Sequence, residues 1–304
     1  MIYEYAISPA LFNSEDRVAL LVTSLGMEHG RLVSDYPKGK WEQLVRQVIK
    51  NSSLGDAQRK TWTECLISLR RQGVVISRMS PTWDSEKTWV DNAVDEHQRS
   101  VFRAIVDEKP HHACREVVSI GVPLATSALW EVKGSQHVAR QASVMVNQMK
   151  GLLDISRSIV LIDRNFLIDG RFTNVLSRLA AYVESEKMGP RVTQIKYVVS
   201  DQNYQSAELE RRCKETLPAL LPSGVSVKFF VKQKSKLHDR FVLTELGGLY
   251  FGQGLDEGQG DVLVNRLGYV AWAKEWGEWN KDIYHSFEIV RQMHNDYQAL
   301  HRQP

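Results

Sequence analysis

Apolar positions in the first hundred residues recur mostly at intervals of three and four, whereas the second half alternates such stretches with short unbroken apolar runs. Met1 to Ile7 alternates as a short strand, which Pro9 stops. Asn13 or Ser14 caps a predicted helix to Leu25, with Glu15 and Asp16 in the first turn, where the helix dipole favours anions. Trp41, Leu44, Val45 and Val48 mark one face of a helix over Lys40 to Lys50, and Trp62, Cys65, Leu66 and Leu69 do so for Arg59 to Arg71. Gly73 breaks the pattern before the strand Val74-Val75-Ile76. Helix, helix, strand with Arg59, Lys60, Arg70 and Arg71 on the second helix spells either a winged-helix-like DNA reader or a solvated basic face. The spacing predicts one more helix over residues 84 to 106, with Trp89, Ala93, Phe102 and Ile105 in a core.

Residues 1 to 110 therefore read as a mostly helical N-terminal domain, and 111 to 138 as a linker or extended region. From 139 to 304 the periods alternate. A helix over Ala139 to Leu153 leads into the strand Ile159 to Ile162; helix Phe172 to Val183, strand Val192 to Val199, helix Ala207 to Leu221 and strand Val225 to Val231 follow. Strands alternating with helices argue for a largely parallel sheet covered on both faces, so the fold class is α/β. Val262 to Trp279 suits partly extended chain, its tryptophans packing over the sheet or lining a cleft, and Tyr284 to Leu300 reads as a closing helix.

Composition adds little to this picture: 43% hydrophobic and 25% charged residues are ordinary for a globular chain. The net charge of +3 leaves any nucleic-acid argument to local clusters. Cys65, Cys114 and Cys213 lack disulfide or zinc spacing. No signal peptide and no apolar run near the ~20 residues of a membrane span are visible, so a cytoplasmic protein without a transmembrane segment is expected. P-loop and Rossmann glycine fingerprints are absent, and no cofactor is expected. His111-His112 has no Cys or carboxylate at ligand spacing, which gives no metal site.

Functional residue types concentrate between Lys232 and Asp256. Lys232, Lys234 and Lys236 alternate, which on extended chain puts them on one face. His238-Asp239-Arg240 follows, then Phe241-Val242-Leu243, a Gly247-Gly248 turn, Leu249-Tyr250-Phe251 and the corner Gly252-Gln253-Gly254-Leu255-Asp256. Paired glycines between apolar runs predict a hairpin, with His238 and Arg240 entering one strand and Asp256 leaving the other on the same side. From Lys228 to Arg240 five cations face Asp239 alone, a net +4 suited either to phosphate or to protecting an edge strand from aggregation.

The run His-Asp-Arg, strand, Gly turn, Gly-x-Gly-Leu-Asp resembles a divergent branch of the phospholipase D superfamily. That branch includes the C-terminal domain of MIT-domain-containing protein 1 and bacterial relatives, some in anti-phage loci. Ser158 to Phe166 looks like its opening strand, and the likeness covers the C-terminal half. It implies a mixed-sheet α/β/α sandwich over residues 139 to 304 and a metal-independent phosphodiesterase or nuclease. His238 would be the nucleophile, Arg240 the clamp on the non-bridging oxygens and Glu245 the acidic residue. Asp239 or Asp256 would orient the imidazole. Lys232, Lys234, Lys236, Gln253, Asp239 and Asp256 would bind phosphate or nucleic acid. Only one such motif is present: His29-Gly30-Arg31 repeats the His-x-Arg spelling, but nine histidines among 39 Lys and Arg produce about one such match by chance. A second histidine would come from a homodimer partner, or from His285 or His137. A non-catalytic module of the same fold, binding nucleic acid, a phosphorylated ligand or partner proteins, is the alternative.

Overall fold

A computed structural model describes residues 1–37, 39–78, 80–121, 124–185, 192–281 and 286–291. The chain begins with β1 (Tyr3–Ile7), α1 (Glu15–Ser24), β2 (Arg31–Ser34), α2 (Trp41–Asn51), α3 (Asp56–Arg71), β3 (Val75–Ile76), α4 (Trp89–Arg99), β4 (Ala104–Asp107) and β5 (Val117–Ser119). These strands form one parallel sheet in the order β3-β2-β1-β4-β5. Apolar residues of α1, α2 and α3 bury one of its faces, and Ala93 and Val94 of α4 the other. The helices expected here are present, but a doubly wound sheet joins them. Val75–Ile76 is its edge strand, so the winged-helix arrangement is not formed. The helix expected over 84 to 106 ends at Arg99, and Ala104–Asp107 is a central strand, its Ala-Ile-Val run buried on both sides.

In doubly wound sheets the crevice where the strand order reverses, here between β1 and β4, is the usual ligand site. Trp41 fills it. Its indole N–H donates to Ile7 O at 2.7 Å, the ring is fully buried, and Phe12 packs edge-on at 5.5 Å.

The second sheet takes β6 (Ser135–Ala139), α5 (Ala142–Leu153), β7 (Ile159–Asp163), α6 (Gly170–Glu184), β8 (Gln194–Ser200), α7 (Ser206–Thr216), β9 (Ser226–Lys232), β10 (Phe241–Thr244), β11 (Gly247–Phe251), β12 (Asp261–Arg266), α8 (Tyr269–Trp279) and β13 (Ser286–Ile289). Its order is β13-β9-β8-β7-β10-β11-β12-β6. The strands β7, β8 and β9 run parallel, and the others join antiparallel. Helices α5, α6 and α7 bury one face, and α8 lies over the other. The fold is α/β throughout.

The region read as a linker gives a strand to each sheet, β5 to the first and β6 to the second. The segment read as extended from Val262 to Trp279 is half strand and half helix, because its tryptophans fall at intervals of four and three from Trp272. Within the expected C-terminal helix, Ser286–Ile289 is an edge strand paired with β9; residues 284, 285 and 292–300 of that reading lie outside the described residues.

Candidate functional site

The hairpin β10-β11 places the predicted residues. Thr244 pairs with Gly247, so the loop is Glu245-Leu246 and both glycines belong to β11, a correction of the expected Gly-Gly turn. Gly248 sits where an added Cβ would lie 2.7 Å from the Leu243 side chain and 2.9 Å from that of Leu267. Glu245 is therefore beyond the far end of β10 from His238, with the whole of Phe241–Thr244 between them. Its carboxylate accepts from Arg157 N (2.6 Å), Ser158 N (3.1 Å) and Ser158 Oγ (2.8 Å). Three donors holding one carboxylate at the entry to β7 make it a clamp on the sheet, and it takes no part in the site expected around His238.

At the other end Arg240 and Asp256 each lie near Asp163. Asp163, the last residue of β7, is fully buried; its two oxygens accept from Asn165 N and Leu255 N, both at 2.8 Å. Burial raises its carboxyl above the ordinary aspartate range, against the opposing pull of those two N–H groups and the Arg240 guanidinium. Arg240 Nη1 donates to Gly252 O at 3.4 Å. Asp256, also buried, pairs with Arg140 at 2.6 Å and lies 3.9 Å from Arg171. Between the two carboxylates Gly254 has φ +133°, and a Cβ there would lie 2.9 Å from Asp256 Oδ1 and 3.2 Å from Asp163 Oδ2. Gly254 of the corner is glycine for this close approach. Glu257 extends the same network: it accepts from Ala142 N at 2.8 Å, at the start of α5, and from Asn174 Nδ2 at 2.7 Å on α6. Arg140, Arg171 and Glu257 escaped the sequence reading because β6 and α6 meet the corner only through the fold.

His238 and Asp239 point elsewhere. They line a cleft of about 870 Å³ between α8 and the carboxyl ends of β7 and β9, bounded also by Ile162, Val231, Lys232, Gln233, Lys236, Leu237, Phe241 and by α8 with Lys281 beyond it. His238 is exposed and makes no hydrogen bond among the described residues. Arg240 and Gln253 are not among the lining residues, so the expected nucleophile and its clamp serve two neighbouring places. Lys232, Lys234 and Lys236 do not share an extended face: Lys232 ends β9, and Lys234–Lys236 is a 3-10 turn fixed by Lys234 N donating to Asp201 Oδ1 at 3.0 Å. Lys232 is buried, its ammonium 4.3 Å from the Trp279 ring centroid and 3.7 Å from Glu278. Lys234 is exposed and does not line the cleft.

Helix α8 supplies cleft residues that the sequence had marked only as tryptophans over the sheet: Lys274, Glu275, Glu278 and Trp279. Trp279 Nε1 donates to Glu275 at 2.8 Å, Trp272 Nε1 donates to Thr244 O at 2.8 Å, and Lys196 donates to Asn280 O at 3.3 Å. The lining thus has Lys232, Lys236, Lys274 and Lys281 against Asp239, Glu275 and Glu278, a smaller excess than the local sequence count suggested. His137 lies on β6, paired with Leu263 and three strand spacings, about 14 Å, from β10. His285 lies outside the described residues.

One other donor group stands apart: His97, Cys114 and Glu116 have ligand atoms within 4.8 Å of one another. Phe102 N donates to His97 Nδ1 at 3.1 Å, so the neutral ring keeps its proton on Nε2, the atom facing Glu116 at 4.0 Å. Burial lowers the His97 pKa and favours that neutral ring. The lone pair a cation needs is not presented, and the group is a hydrogen-bonded edge of the first sheet. His111 Nε2 donates to Asp91 Oδ1 at 3.0 Å, its Nδ1 accepting from Ala113 N, and the ring stacks on His112.

No protein-family model matches the chain, and no curated protein matches it. Among solved structures it is similar to TrmBL2, an archaeal chromatin protein described as showing a novel mode of DNA binding, at 10% identity and a TM-score of 0.30, over 78% of this chain and 85% of that one. A score this low does not establish a shared fold. Among the described residues no helix is long and apolar enough to cross a membrane.

Proposed function

We propose that this chain is a phospholipase D-like module whose cleft binds the phosphodiesters of nucleic acid, and that a single chain holds them without cutting them. The observation that carries the reading is the cleft itself: it opens at the carboxyl ends of parallel strands, where α/β sheets bind ligands, and gathers His238 with Lys232, Lys236, Lys274 and Lys281. Phosphodiester hydrolysis through a phosphohistidine needs a second group to protonate the leaving oxygen. Among the described residues His238 is the only histidine lining the cleft. Asp163 and Arg240 are engaged with backbone and Asp256 with Arg140 and Arg171, which suits them to holding the corner in shape.

A cleaving form is a second reading, favoured by the exposure of His238. It would use a homodimer partner for the second imidazole, and a role in anti-phage defence beside partner proteins would follow from the resemblance alone.

The test measures binding and cleavage together. Fluorescence anisotropy with labelled DNA and RNA should give salt-sensitive binding, log K falling with log salt by about 0.7–0.9 per neutralised phosphate. Lys274→Ala and Lys281→Ala together should reduce both affinity and slope, while His238→Ala leaves binding in place. Cleavage in EDTA by the wild type, lost in His238→Ala, would replace the binding reading with the nuclease. Absence of any binding at low salt would remove both.

A further inference from the structure

Resting on that binding reading, we propose that the cleft takes nucleotides with unpaired bases, the base against its apolar floor and the phosphate at its lysine rim. A site for backbone alone needs only cations on an open surface, because a duplex presents phosphates outward and hides the faces of its bases. This cleft is built differently. Its floor is Ile162, Leu237 and Phe241, each under a tenth exposed, and its polar groups stand around that floor. Trp279 forms a wall with its plane fixed from two directions, by its N–H on Glu275 at 2.8 Å and by the Lys232 ammonium 4.3 Å from its ring centroid. A pre-set aromatic wall beside an apolar floor and a rim where Lys236, Lys274 and Lys281 stand among Asp239, Glu275 and Glu278 offers a surface for a flat ring and lysines for an anion. The volume of about 870 Å³ suits ligands of nucleotide size, and a duplex would meet only the rim.

The decisive measurement compares four probes on the full chain at one low salt concentration: a short single strand, a strand of the same length made of abasic sites, the matching duplex, and a free mononucleotide as competitor. The single strand should bind roughly 5- to 150-fold tighter than the abasic strand, the range expected for stacking one base. Trp279→Leu should erase that preference and Trp279→Phe should keep most of it. The probe comparison needs no variant, so a poorly folded Trp279→Leu leaves the question answerable. Competition by the mononucleotide would assign the site to free nucleotides; failure to compete, with the single-strand preference intact, would assign it to strands. Equal binding of intact and abasic strands, or preference for duplex, overturns this inference while leaving the phosphate reading standing. No binding of any probe overturns the reading beneath it.

Discussion

Glu245 and His238 are seven positions apart in sequence and have separate work in the molecule. Replacing Glu245 by Ala strands the Arg157 and Ser158 donors and should lower stability by about 1–3 kcal/mol in urea unfolding, with nucleic-acid affinity unchanged. A loss of binding at unchanged stability would return Glu245 to the functional site. At the edge of the first sheet, burial lowers the His97 pKa from 6.5. Below about pH 6.5 the unfolded chain takes up this proton more readily than the folded one, so stability falls as pH falls through that region. In His97→Gln, whose side-chain oxygen can still accept from Phe102 N, unfolding free energies between about pH 7 and pH 5 should show a shallower decline than in wild type. Equal slopes would mean that His97 titrates alike in both states.

At the scale of elements, α8 stands out because none of its residues is buried although three are tryptophan. It is held on the sheet by its partly buried Trp272, Trp276 and Trp279 packed on the cluster of Val160 and Phe241, by the Trp272 bond to Thr244 O, by Tyr269 N on Glu28, by the Lys196 bonds to Asn280 and by Lys232 under Trp279. A helix with no fully buried residue is expected to open more readily than the sheet beneath it. Amides of Ala273 to Trp276 should exchange with solvent faster than those of Val160 to Ile162 in the middle of the sheet, as hydrogen-exchange mass spectrometry can measure, and a bound single strand should slow them. Exchange of α8 as slow as β7 would show a helix locked to the sheet, and would leave the cleft a fixed shape.

The whole molecule is joined where the first strand of one sheet meets the other. Met1 and Ile2 are buried in the core of the larger sheet together with Met27 and Leu32. Arg266 of β12 donates to Met1 O at 2.9 Å and to Glu28 O at 2.6 Å, and Tyr269 N donates to the Glu28 carboxylate at 2.9 Å, so α8 starts from this seam. Gly151 on α5 lets the units approach: a Cβ there would lie 2.2 Å from the Tyr3 ring and 2.6 Å from Ile2 O. Helix propensity alone would favour alanine at this position by about 1 kcal/mol. Because one of the opposing atoms is backbone, the contact should win, and Gly151→Ala should lower the melting temperature. A rise in melting temperature would show that the two sheets can separate without loss.

Residue pattern alone carried the local elements of the second half, since β7, α6, β8, α7 and β9 each satisfy their own period, and it carried the two strands of the hairpin, though not its Glu245-Leu246 loop or the parting of His238 from Arg240. It also carried the α/β class and most core residues; Phe102 and Ile105 are buried as expected, though in and beside a strand where a helix was read. What the sequence could not carry was pairing between distant segments. Three of the four pairings in the sheet under the N-terminal helices join segments about thirty to a hundred residues apart, so Val74-Val75-Ile76 could be read as a strand but not assigned a neighbour. The Arg140 and Arg171 partners of Asp256, the shift of Glu245 to a structural clamp, and the arrival of Trp279 beside Lys232 were decided only by tertiary structure. Spacing along a chain fixes which face a side chain takes, and only the packing of the sheets decides what that face meets.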